Sequence, residues 1–184
     1  MTRENRSQRI KEFGSVPAEL MATLRQIPKR MWLFKPAPDR WSIHEIVLHL
    51  CDSEVDCYMT CRRLIAEPGK EILEYDASRW TDSLGYFHQS TKEALEIKRR
   101  LRRMTHWLLA TAREEVWSHT VKHPQIGELS LEQWLEQEQR HFQRHIKQIH
   151  KNYEIWQTSH PSRKPPSARS GKREPSSRRV YKCA

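Results

Sequence analysis

Apolar residues recur at helical spacing in four stretches of this 184-residue chain. Three of the stretches open on a capping box: Ser42-Ile43-His44-Glu45, Ser90-Thr91-Lys92-Glu93 and Ser130-Leu131-Glu132-Gln133. In each, the first side chain can cap a backbone N–H while the fourth reaches back. Behind the first box, Ile43, Ile46, Val47, Leu50, Cys57, Cys61 and Leu64 trace one stripe that stops at Pro68-Gly69. The second introduces Leu95, Leu101, Met104, Leu108 and Leu109. The third introduces Trp134, Leu135, Phe142, Ile146, Ile149 and Tyr153. An earlier helix is predicted from Ser15-Val16-Pro17, carrying Leu20, Met21, Leu24 and Ile27 towards Pro28. Four amphipathic helices without a convincing strand predict an all-α four-helix bundle. Its connections, 67–89 and 113–129, are long enough to depart from simple up-down order.

The flanks differ from this body. Residues 1–14 read as a polar segment, 15–156 as the bundle, and 157–184 as a Ser/Pro-rich basic tail. The tail has too few apolar residues to offset its ordering entropy and is expected to be disordered. It also changes the meaning of the net charge of +10. Residues 157–184 hold eight of the 33 bases and one of the 23 acids, so the tail carries +7 and the body only +3. A basic pI therefore does not make the bundle a nucleic-acid-binding fold, and a nucleic-acid partner is expected only through the tail. Lys98, Arg99, Arg100, Arg102 and Arg103 form a basic run that reads as a solvated helix face, with Leu101 and Met104 inward.

Other classes are excluded by what is missing. No apolar run approaches the ~20 residues of a membrane span. The start of the chain lacks the apolar core of a signal peptide, and four cysteines do not form a disulfide framework. A cytoplasmic location is expected, with Cys51, Cys57 and Cys61 as buried free thiols. Phosphate-cradling, dinucleotide-binding and nucleophile-elbow motifs are absent from the sequence.

Histidines carry the candidate chemistry. His141 and His145 are four apart on the last helix, so their imidazoles can share one cation. On spacing alone the plainer account, two solvated or partly buried histidines, holds. His49 lies at the edge of the second stripe and is the best third ligand. Asp52, Ser53 and Asp56 share its side of the helix, and either carboxylate could orient a ligand from behind. Trp80 and His123 sit on the long links and could rim a cleft.

Taken in order, Trp41-Ser42-Ile43-x-Glu45-Ile46-x-x-His49-Leu50-x-Asp52-Ser53-Glu54, Tyr75-Asp76 with Trp80, His123-Pro124-x-x-Gly127 and His141-x-x-x-His145-Ile146-x-Gln148-Ile149 resemble the DinB-like (YfiT-like) superfamily across roughly residues 15–156. The resemblance implies a four-helix bundle, often homodimeric, with a divalent metal held by His49, His141 and His145. Zn²⁺ or Ni²⁺ suits imidazole ligands, with Fe²⁺ and Mn²⁺ as alternatives. It implies either a thiol S-transferase using a low-molecular-weight thiol cosubstrate or a metal-dependent hydrolase, acting on a small molecule. The competing expectations are a non-catalytic, stress-associated metal module and nucleic-acid binding through the tail.

Overall fold

A computed structural model describes residues 2–160. Four long helices, α1 (Arg3–Arg25), α2 (Ile43–Ala66), α4 (Thr91–Thr111) and α5 (Leu131–Ser159), make the bundle, and a short α3 (Ala77–Ser83) lies in the α2–α4 link. Helix α1 packs on α4 and α5, and α2 packs on the same two. Consecutive α1 and α2 are therefore diagonal, and the long links carry the chain across the bundle. The expected four-helix bundle is present, in a crossed rather than up-down order.

The start signals at Ser42 and Ser130 form complete capping boxes. At Ser90 only half of the box forms: the Ser90 hydroxyl accepts from the Glu93 N–H. Two apolar clusters fill the interior. One joins Leu20 and Leu24 of α1 to Ile46 and Leu50 of α2 and to Phe142 and Ile149 of α5. The other gathers Phe13, Cys57, Cys61, Leu64 and Trp134. Cys51, Cys57 and Cys61 are buried free thiols.

Four expectations need correction. Helix α1 begins at Arg3 under a Thr2 cap, so the polar stretch before Ser15 is helical. Its inward face is held by contacts remote in sequence. Arg6 pairs with Glu114 at 2.7 Å and stacks on Trp117, and Phe13 packs on Trp134 with ring centroids 5.9 Å apart. Pro17 then sits inside the helix, where it costs one backbone bond to Phe13.

Second, the 113–129 link contains an antiparallel hairpin, β1 (Thr120–His123) and β2 (Gly127–Ser130). Four-residue strands are too short for a period to show. The turn ends on Gly127, whose φ of 77° favours glycine. Third, α5 continues through Gln157 and Thr158 to Ser159, so the predicted tail begins inside a helix. The remainder of the expected disordered tail, 161–184, lies outside the described residues.

Fourth, the basic run is not one solvated face. Lys98 and Arg102 are each only 3% exposed and both converge on the fully buried Glu54. Lys98 Nζ donates to Glu54 Oε2 at 2.5 Å, and Arg102 donates to the same oxygen at 2.6 and 3.0 Å. Met104 instead faces outward, 48% exposed. The periodicity of α4 misled because its inward face is closed by an ion cluster, which a hydropathy pattern scores as solvent-facing.

Candidate metal centre

The diagonal order sets α2 beside α5, and this pairing places His49 against His141 and His145. The entry of α2 is fixed by its capping box, with Glu45 also held by Lys35 at 2.9 Å. About two turns after the Ser42 cap, His49 points inward, 5% exposed. His49 Nε2 lies 3.2 Å from His141 Nε2, which lies 3.1 Å from His145 Nε2. Nitrogen ligands about 2.1 Å from one ion lie roughly 3.0 Å apart at octahedral angles and 3.4 Å apart at tetrahedral ones. The observed separations fall within that interval.

Surrounding groups orient the rings. His145 Nδ1 lies 3.0 Å from Gln148 Oε1, which holds the proton on Nδ1 and leaves the Nε2 lone pair facing its neighbours. Trp41 covers the cluster, stacked 15° from parallel over His145 and 4.8 Å from the His49 ring. Asn152 donates to the Trp41 carbonyl at 2.8 Å and ties this cover to α5. Ser53 Oγ stands 3.3 Å from His49 Nε2 and 2.8 Å from the Tyr75 hydroxyl. His49 Nδ1 is buried without a hydrogen-bond partner.

Burial pushes all three histidines down, and neighbouring imidazoles add to the push on two of them: His49 falls to about 3 and His141 to about 2. His145 falls to about 4 by burial, opposed by its bond to Gln148. All three are therefore neutral near pH 7, the form that ligates a cation.

Above pH ~6.5 folded and unfolded states are both neutral here, so the histidines contribute no pH dependence. Below that value the unfolded chain takes up protons that the folded protein refuses, so the metal-free protein weakens as pH falls towards 4. Each excluded proton steepens the loss by at most about 1.4 kcal/mol per pH unit. Urea unfolding of metal-free protein at pH 7.5, 6 and 5 should show a shallower decline in His141→Gln than in the wild type. Identical slopes would contradict the buried, neutral trio.

His49 and His141 open into a cleft of about 620 Å³, with His145 behind them against His141. Of the carboxylates expected behind them, Asp56 lines this cleft, but Asp52 accepts a hydrogen bond from Tyr86 instead. His123 lines the cleft and pairs with Glu74 at 3.2 Å. Trp80 reaches the cleft only indirectly, packing on Tyr75 with ring centroids 4.3 Å apart.

Two further contributors escaped the sequence. Glu138, one turn ahead of His141 on α5, lines the cleft. Burial pushes its carboxyl up to about 7, against the pull of Arg102 and with a push from Glu54. Arg144 lines the wall beside His141. The i−3 spacing of Glu138 to a candidate ligand was the available signal, but a glutamate in a charged helix does not stand out.

Comparison with known proteins bears on this arrangement. A family model described as the DinB superfamily matches residues 12–149. The chain belongs to the DinB superfamily. A relative from Oceanobacillus iheyensis, named "Putative metal-dependent hydrolase", is 24% identical over 122 residues, 66% of this chain and 70% of its own. The solved structure of YfiT from Bacillus subtilis superposes with a TM-score of 0.77 at 21% identity, covering 86% of this chain and 90% of that one. It is described as a probable metal-dependent hydrolase with an unusual four-helix bundle topology. Membership in the superfamily thus rests on most of the chain, and the crossed helix order agrees with the fold of this relative. Among the described residues, no helix is long and apolar enough to cross a membrane.

Proposed function

We propose that this DinB-superfamily chain is a metal-dependent enzyme acting on a small molecule, with His49, His141 and His145 as the ligands of one divalent ion. The observation that carries the reading is the convergence of three neutral Nε2 atoms at the end of a polar cleft. The donor set is all imidazole, which suits Zn²⁺ or Ni²⁺ and leaves coordination positions for a further ligand. The bound ion would supply Lewis acidity, lowering the pKa of a thiol or water presented to it.

The protein's own groups do the rest. Glu138 stands in the cleft with a carboxyl poised near neutrality and accepts the proton released from the nucleophile. Ser53 and Tyr75 offer hydroxyls beside His49 to orient it. Arg140 and Arg144 give one wall positive charge that favours an anionic substrate group. Trp41 keeps water from the back of the rings. Relatives described as metal-dependent hydrolases support hydrolysis, and thiol transfer to an electrophile fits the same groups. A homodimer is also part of the proposal, since Val55 and Met59 of α2 and Met104 and Trp107 of α4 are exposed apolar residues on two helices that pack together.

Zn²⁺-loaded and chelator-stripped protein should be compared on 4-nitrophenyl acetate and on glutathione addition to 1-chloro-2,4-dinitrobenzene. At least one reaction is expected to need the metal. Glu138→Gln should keep the metal while lowering kcat about 10²-fold or more. Equal rates for loaded and stripped protein on a broad thiol and ester panel would favour the second reading, a metal module without turnover.

A further inference from the structure

The basic run on α4 has two residues left unexplained once the Glu54 cluster and the Arg100–Glu96 pair at 2.7 Å are set aside. Arg99 and Arg103, one turn apart, both line a groove of about 840 Å³ between α1 and α4. Lys11 and Arg25 of α1 add two more cations to its walls. No acidic residue lines this groove, and none of the four bases is in an ion pair among the described residues. Between them runs an apolar bed of Ile10, Pro17, Ala18 and Met21. No residue of this groove lines the histidine cleft.

The bed is shaped by a glycine in mid-helix. Gly14 costs α1 about 1 kcal/mol relative to alanine. A Cβ there would meet His106 Cδ2 at 2.6 Å, so the glycine lets the His106 ring lie against the α1 backbone. His106 is itself part of the groove lining.

We propose that the α1–α4 groove is a second binding site, one that takes a free single-chain anionic amphiphile. The apolar chain lies along Ile10, Pro17, Ala18 and Met21, and the anionic head, carboxylate or phosphate, is held by Arg99 and Arg103 with Arg25 and Lys11 nearby. The volume is that of a small-molecule site, in the ~300–1,000 Å³ range. Charge decides among occupants. A second copy seated symmetrically would set four unpaired cations against the same four. The chain's own C-terminal segment carries eight bases and one acid in residues 157–184, the wrong sign for this wall. A nucleic acid would find no Trp, Tyr or Phe in the groove on which to stack a base, and the His106 ring lies against the α1 backbone at Gly14.

The test needs no metal and so stands apart from the histidine reading. Calorimetry of the full chain with dodecanoate below its micelle-forming concentration should show about one molecule bound per chain. Dodecyl maltoside and dodecyltrimethylammonium should bind at least about tenfold more weakly, since a charge-assisted contact is worth more than that factor. Arg99→Glu with Arg103→Glu should weaken dodecanoate by at least about tenfold, and Ala18→Trp, which fills the bed from an exposed position, should do the same. Helicity by circular dichroism checks folding, and if one variant unfolds the other decides. Equal binding of the cationic amphiphile, dodecanoate binding unchanged in the folded variants, or association only with anionic phospholipid vesicles would overturn the proposal.

Discussion

Replacing His49 and His145 together by alanine should give a folded protein that no longer retains metal. The wild type, loaded with Zn²⁺ and desalted, is expected to hold about one ion per chain by elemental analysis, and the double variant less than about a tenth of that. His141 Nε2 is the centre of the trio, 3.2 Å from one partner and 3.1 Å from the other, and on its own it is a single imidazole. A lone imidazole binds a divalent ion far more weakly than three preorganised ones, and a fall of 10³-fold or more in affinity is expected. Thermal unfolding supplies an independent reading. Metal at 100 times its Kd stabilises the folded state by about 2.7 kcal/mol, a rise of several degrees in Tm for a domain of this size. That rise should vanish in the variant. Undiminished metal content would mean that the ion sits elsewhere.

Glu54→Gln should be the most damaging single substitution outside the histidine cluster. Glu54 is fully buried and its Oε2 receives both Lys98 and Arg102, so the amide removes the carboxylate that both buried cations share. Breaking a buried ion cluster in this way costs about 3–5 kcal/mol, which corresponds to a Tm lowered by roughly 10 °C or more. Lys98 is already strained in this sense: burial and the Arg102 charge push its pKa down, and Glu54 pulls it back. The cluster is also imperfectly satisfied, since Glu54 Oε1 and Arg102 Nη1 have no hydrogen-bond partner. A well-packed apolar replacement should therefore do better than a broken pair. Glu54→Leu combined with Lys98→Met and Arg102→Met is expected to recover most of the lost stability. If the triple variant is no more stable than Glu54→Gln, the damage comes from shape rather than from charge.

These two predictions draw on different kinds of information in the chain. The histidines were legible because helical spacing is local: four residues set His141 and His145 on one face, and the edge of an apolar stripe singled out His49. The capping residues at Ser42 and Ser130 were legible for the same reason. What could not be read depends on contacts between distant segments. Arg6 is buried because Glu114 and Trp117 come to meet it, and nothing near Arg6 announces that. Lys98 and Arg102 face inward because Glu54, more than forty residues earlier, is there to receive them. Glu138 becomes unusual only where α2, α4 and α5 enclose it. The hairpin of β1 and β2 was hidden by its brevity.

The crossed order of the helices has a consequence for how the protein comes into being. His49 and His141 are 92 residues apart in the chain and belong to helices that meet only when the last one docks. A growing chain that has completed α1, α2 and α4 holds only one of the trio, His49. At the proposed centre, metallation would therefore wait until α5 is in place, and a bound ion would act as a latch on finished molecules.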